Sequence, residues 1–270
     1  MSGKLKLLVF IFIIAVIGWT IFWFYDYQKD AATKKGEDLY KTIVNRGFLI
    51  VGVKTDTKPF GFIDSTGKNV GFDVDIAKYI AKEILHDENK VEFVPVTDNE
   101  RLYKLNLNKV DMVIATMTVT PSRQHYADFS NAYYITGQAL LVRNGSSIRS
   151  LGDLSNKKVG VIFGSTAEDT IKFLLPTANV MGYKIYDDAY RALKNGTVLG
   201  VVADDAILRN YSISDSAVKL LPKRYSRDSY AIAFRRGPES DYILEIVNHV
   251  ISDMDNRGII TQLKHKWNLN

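Results

Sequence analysis

Cysteine is absent from the 270 residues. Disulfides, thiolate metal sites, cysteine nucleophiles and lipid attachment through an N-terminal cysteine are therefore excluded. Histidine is scarce. His86, His125, His249 and His265 stand apart, without the spacing of a metal-ligand pair, and no metal or other cofactor is expected. There is no Gly-x-Ser-x-Gly elbow and no phosphate-binding loop, which removes common hydrolase and nucleotide-binding signatures. Charge of one sign is not concentrated either. The net charge of +5 comes from lysines and arginines interspersed with acids, so no nucleic-acid partner is expected. Low-complexity stretches and short internal repeats are missing, and 46% hydrophobic with 24% charged residues is the composition of a globular protein.

One stretch lacks charge altogether. Leu7 to Tyr25 is long enough to cross a bilayer core as a helix. Lys4 and Lys6 precede it and Asp26 follows, which puts the N-terminus in the cytoplasm, with Trp19, Trp23, Tyr25 and Tyr27 near the outer interface. A cleavable signal would need a shorter apolar core and a small-x-small cleavage site, which Asp26 to Thr33 does not offer. Residues 1–27 are expected to form a cytoplasmic stub and transmembrane anchor, and 28–45 a tether. The alternative is a secretory signal, and under either reading the remainder is exported.

Beyond the tether, strand and helix patterns alternate. Leu49 to Val53 is a buried-strand run, and Ile76, Tyr79, Ile80 and Ile84 mark a helical face over 74–85. Val91 to Val96 reads as a strand whose Pro95 suits an edge. A helix over 99–108 then leads to a strand at 111–115. This order predicts an α/β sheet with parallel neighbours. A second set has strands near 139–143, 159–163 and 198–203, and the chain closes with a strand at 230–234 and helices from 239 to 266.

The run from Ala115 to Arg123 (ATMTVTPSR) has the chemistry of a carboxylate trap. Thr120 suits a helix N-cap and Pro121 the first helical position, so a helix is predicted to start here. Helix starts attract anions, and Arg123 in the first turn can add a two-pronged hydrogen bond to the same carboxylate. Thr116 and Thr118 bring hydroxyls and backbone groups alongside. On these residues alone, a capped helix with a solvated arginine is the commoner explanation. Gly164-Ser165-Thr166-Ala167-Glu168 opens a second predicted helix, where Ser165 and Glu168 have capping-box spacing and Thr166 is left to touch a ligand.

Ala115–Arg123, followed by Ala127-Asp128-Phe129-Ser130 and Tyr133-Tyr134, resembles the signature of the extracellular amino-acid-binding proteins that feed ATP-driven importers, solute-binding protein family 3. Gly71-Phe72-Asp73-Val74-Asp75-Ile76-Ala77, Gly52 to Phe62, Leu151-Gly152-Asp153-Leu154 with Val159-Gly160-Val161, and Lys264-His265-Lys266-Trp267 follow that family's order. The resemblance implies a type II periplasmic-binding-protein-like fold of two lobes, each a sheet flanked by helices. Lobe 1 would be 46–133 plus 231–270 and lobe 2 138–227, joined by hinge strands at 134–137 and 228–230. A cleft between them would close on ligand.

The resemblance also implies roles. Arg123, with Thr116 and Thr118, would take the ligand α-carboxylate, and Ser165 and Thr166 would flank it. Asp205 would pair with the ammonium, with Asp204 in reserve, although capping explains the acidic pair as well. Lys54 and Arg101 look like the basic residues of the glutamate- and aspartate-binding branch, and Thr57 stands where relatives for other amino acids carry an aromatic ring. The expected protein is a non-enzymatic, monomeric receptor for a free polar amino acid, glutamate or aspartate first and glutamine as the alternative. It would serve ABC permease subunits at the outer face of the membrane. The other classes are a prephenate- or arogenate-type dehydratase with Glu168 as its acid, and a sensory ligand-binding subunit.

Overall fold

The computed structural model describes residues 16–23 and 39–269. Among the described residues no helix is long and apolar enough to cross a membrane. The expected membrane-crossing stretch, Leu7 to Tyr25, lies largely outside them, as does much of the expected tether.

Helix α1 (39–46) precedes β1 (Leu49–Val53), whose alternate residues Leu49, Val51 and Val53 are fully buried. A small antiparallel sheet follows, made of β2 (Asp56–Thr57), β3 (Gly61–Ile63) and β4 (Asn69–Val70). Helix α2 (Phe72–Leu85) carries Asp73 and Asp75 in its first turn, where the helix dipole favours acids. It buries Ile76, Ala77, Ile80, Ala81 and Ile84 as one stripe, the i, i+4 pattern of a helix lying on a sheet. Gly71 before it has φ 138°, and a Cβ there would stand 2.0 Å from the Phe60 carbonyl oxygen, so only glycine fits. The first lobe continues with β5 (Val91–Pro95), α3 (Arg101–Asn106), β6 (Met112–Val113), α4 (Pro121–Gln124) and β7 (Ala127–Thr136).

The second lobe holds β8 (Gln138–Arg143), β9 (Lys158–Ile162), α5 (Thr166–Leu174), β10 (Asn179–Tyr183), α6 (Tyr186–Lys194), β11 (Gly200–Asp204), α7 (Asp205–Ser214) and β12 (Val218–Leu220). The chain then returns through β13 (Asp228–Arg235) to α8 (Pro238–Asn256) and α9 (Ile259–Lys266). The result is an α/β two-lobe molecule with two five-stranded sheets, ordered β5-β1-β6-β13-β7 and β10-β9-β11-β8-β12.

Both sheets are mixed, which differs from the purely parallel neighbours that the strand-helix alternation predicts. β1 runs parallel to β5 and β6, but β13 is antiparallel to β6 and β7. The reason is the return crossing: β13 enters the first sheet from the other lobe, so it runs against its neighbours. Pro95 ends β5, which is an edge strand, as a residue without an N–H donor requires.

The crossings pass beside one aromatic cluster. Phe60 packs edge-on to Phe72, Tyr134 and Tyr230, with ring centroids 6.0, 5.2 and 5.4 Å away. Tyr134 belongs to β7 and Tyr230 to β13, so this packing holds the strands that connect the lobes.

Candidate functional site

The candidate site gathers the C-terminal ends of β1, β6 and β11 and the starts of α3, α4 and α5. Thr120 caps α4: its hydroxyl accepts from the Arg123 N–H at 3.2 Å, with Pro121 in the first turn. α4 is a single turn, so its dipole is small and the attraction for an anion falls to Arg123 itself. Arg123 is half-buried. It donates to the Thr118 carbonyl at 2.7 Å and, across the cleft, to the Gly164 carbonyl at 2.8 Å. Loss of hydration and the neighbouring Arg101 draw its pKa down to about 10, against the pull of Asp98 and Asp204.

Thr116 and Thr118 are buried beside it. Thr116 is held at φ 49°, its N–H donates to Asp73 at 2.8 Å, and its hydroxyl is buried without a partner. Asp73 also accepts from the Tyr133 hydroxyl at 3.0 Å, and burial pushes its carboxyl up to about 7.

Lys54 and Arg101 are both buried, and neither is a free cation. Lys54 Nζ lies 2.6 Å from Asp98 Oδ2 and 3.2 Å from Asp56 Oδ1, and 5.7 Å from the centroid of the Tyr186 ring. Arg101 lies 3.1 Å from Asp98 Oδ1 and donates to the carbonyls of Asp98, Ala115, Thr116 and Gly164. Burial alone would raise the Asp98 pKa, but Lys54 and Arg101 outweigh it and hold the carboxyl below its ordinary range.

The acidic pair at the end of β11 splits. Asp204 ends β11 and Asp205 begins α7, so the backbone turns between them. Asp204 points toward β8 and β13, where it accepts from the Tyr230 hydroxyl and, at 2.6 Å, from Gln138 Nε2. Burial, and then the charges of Asp228, Asp98 and Asp205, push its carboxyl up to about 7 despite the Tyr230 bond. Asp205, expected to meet the ligand ammonium, lies on the other side. It accepts from the Thr136 hydroxyl at 2.7 Å and is paired with Arg224 and, at 3.8 Å, Arg209. Its carboxylate ties α7 to the crossing strand β7 and to two arginines, whereas that of the reserve candidate Asp204 meets Gln138 and Tyr230 and lies near enough to Arg123 and Asp98 for their charges to act on one another.

Ser165 caps α5, accepting from the Ala167 N–H at 3.3 Å and donating to the Ile162 carbonyl at 2.7 Å. The reciprocal half of the expected capping box is replaced, because Glu168 turns to Lys172 at 2.7 Å. The same ion pair occupies the carboxyl that a dehydratase would need as its acid. Thr166 accepts from Gln138 Nε2 at 3.0 Å.

The structure therefore brings Lys54, Arg101, Thr116, Thr118, Arg123, Ser165 and Thr166 together at one part of the lobe junction and places the Asp205 carboxylate at another, with Thr136, Arg209 and Arg224. It adds Asp98, Gln138, Tyr186 and Tyr230. Of these only Asp98 carried a signal, as an acid three residues before Arg101. A groove of about 550 Å³ between Lys58, Phe62, Arg209 and Trp267 opens elsewhere on the junction and contains none of these residues.

The chain is 35% identical over 240 residues to the ABC transporter glutamine-binding protein GlnH of Bacillus subtilis (strain 168), covering 88% of this chain and 87% of that protein. It is 40% identical over 209 residues to a glutamine-binding protein of Geobacillus stearothermophilus, covering 77% and 80%. The solved structure of an ancestral arginine-binding protein bound to glutamine superposes with a TM-score of 0.77 at 39% identity, covering 82% of this chain and 98% of that one. Residues 49–270 match the family model itself, and the chain belongs to the bacterial extracellular solute-binding proteins, family 3.

Proposed function

We propose that this protein is the extracytoplasmic receptor of an amino-acid ABC importer and that it binds a free polar amino acid, glutamine foremost. One observation carries the reading. Arg123 of the first lobe, half-buried, and Asp204 of the second, buried, face each other's lobes with their hydration reduced, and both are shifted toward neutrality, the arginine down and the aspartate up. A zwitterion supplies a carboxylate to the first and an ammonium to the second, removing both penalties in one event. Because the two groups sit on different lobes, only the closed molecule satisfies both, which couples occupancy to shape. A permease that reads the closed shape then distinguishes loaded from empty receptor. The uncharged Leu7–Tyr25 stretch would hold the receptor beside that permease and raise its local concentration.

The relatives named for glutamine support that ligand over glutamate or aspartate. An acidic side chain would be favoured by unpaired cations at Lys54 and Arg101, and both are already matched by carboxylates. The deciding experiment is calorimetric titration of the protein, unfolded and refolded to strip carried-over ligand, with glutamine, glutamate, aspartate, arginine and histidine. Saturable binding of glutamine above the others is the expected result. Heat from none of them would sink the receptor reading.

A further inference from the structure

We infer that Asp98 determines which side chain the cleft accepts: held between Lys54 and Arg101, it cancels the positive charge of the side-chain end and so selects a neutral amide over a carboxylate. The inference rests on the amino-acid-receptor reading and names the residue that sets its ligand.

Asp98 is only 7% exposed, and each of its carboxylate oxygens is taken by a different cation, Oδ2 by Lys54 at 2.6 Å and Oδ1 by Arg101 at 3.1 Å. It lies beside the groups proposed to hold the ligand backbone, since its partner Arg101 and Arg123 donate to the same Gly164 carbonyl oxygen. With Arg123 and Asp204 assigned to the zwitterion, the remaining cations Lys54 and Arg101 face the remaining anions Asp98 and Asp56. Their charges balance. A ligand side-chain carboxylate entering there meets Asp98 as a like charge in a dry space, and must take up a proton or stay out.

A carboxamide meets no such penalty. Its carbonyl can accept from the Lys54 ammonium, which donates to Asp98, is ion-paired with Asp56 and carries three N–H groups. Its NH₂ can donate to a carboxylate oxygen, and Asp56 Oδ2 beside Lys54 is buried with no hydrogen-bond partner. Tyr186 closes over the Lys54 ammonium from the second lobe, so lobe closure dehydrates this end of the cleft and sharpens the discrimination. Arg101 contributes by position, because its other donors are committed to the carbonyls of Asp98, Ala115, Thr116 and Gly164.

The test is calorimetric titration of the full chain in mild detergent, stripped of ligand, with glutamine and with glutamate, for the wild type, Asp98→Asn and Asp98→Ser. The wild type is expected to prefer glutamine by at least about tenfold, and either folded variant to move the ratio toward glutamate by at least about tenfold. A ratio unchanged in a folded variant overturns the inference while leaving the receptor reading intact. No binding of any amino acid by the wild type removes both. Should neither variant fold, repeating the wild-type glutamate titration in buffers of different ionisation enthalpy decides the matter. Uptake of about one proton per glutamate, or no binding of glutamate, is expected from the like-charge argument. Tight glutamate binding without proton uptake overturns it.

Discussion

Arg123 in the first lobe donates to the carbonyl of Gly164 in the second at 2.8 Å, and this single oxygen, which also accepts from Arg101 at 3.2 Å, is a point where the closed lobes are fastened. Gly164 is more than an acceptor. Its φ is +79°, and a Cβ placed on it would stand 2.6 Å from the backbone nitrogen of Asn99. Gly164→Ala should therefore prop the lobes apart. Amino-acid affinity is expected to fall at least about tenfold, whereas ligand-free stability should drop only by the roughly 1 kcal/mol that a strained φ costs. Small-angle scattering should show that ligand no longer compacts the variant. Affinity like the wild type would mean that the lobes do not need this contact to close.

The two aspartates that end β11 and begin α7 make opposite predictions. Asp204→Asn removes the carboxylate on the cleft side and is expected to weaken binding by about a hundredfold, the loss that follows when a buried ammonium has no counter-ion. In the wild type, affinity should climb as pH rises toward about 7, where Asp204 ionises, and the variant should lose that dependence. Asp205→Asn should leave affinity within about threefold and instead lower thermal stability, because a buried carboxylate that holds the Thr136 hydroxyl, Arg224 and Arg209 is removed. The reverse outcome would return the ammonium to Asp205.

Asp98 and the split of Asp204 from Asp205 show where reading the sequence stops. Leu49–Val53 and the Ile76–Ile84 stripe of α2 are legible because one face of each is apolar at its own period. Thr120 and Pro121 announce α4 by cap chemistry alone. β2, β3 and β4 span only two or three residues each, too short to carry a period. β7 runs for ten residues through a segment that includes Asp128, Ser130 and Asn131, polar positions that a buried-strand search passes over. Lys54 and Arg101 were visible as basic residues, but their neutralisation was not. Asp98 meets Lys54 across 44 positions of sequence, and only the parallel pairing of β1 with β5 brings them together. Composition indicates which charges exist, and the fold decides which of them are already satisfied.

Phe60 makes the aromatic junction between the crossing strands open to a direct test. It is fully buried and meets Phe72, Tyr134 and Tyr230 edge-on. Phe60→Ala should cost about 3–5 kcal/mol in urea unfolding, the range for a large aromatic side chain removed from a packed core. A loss below about 1 kcal/mol would show that the neighbouring rings collapse into the space.

Asp73 gives stability a pH dependence of unusual sign. Burial holds its carboxyl at about 7, against an ordinary value of 3.8, although Thr116 N–H and the Tyr133 hydroxyl pull the other way. Between those values the folded protein keeps a proton that the unfolded chain has released. The group's contribution is therefore most favourable below about pH 4 and declines as pH rises toward 7. Asp73→Asn keeps the shape and removes the titration. The unfolding free energy of the variant minus that of the wild type should rise between about pH 4 and pH 7 by up to about 4 kcal/mol, about three pKa units each worth about 1.4 kcal/mol. Denaturant curves at intervals across that window measure the difference directly, and a flat difference would mean that Asp73 is ionised throughout and that its bonds to Thr116 and Tyr133 outweigh its burial.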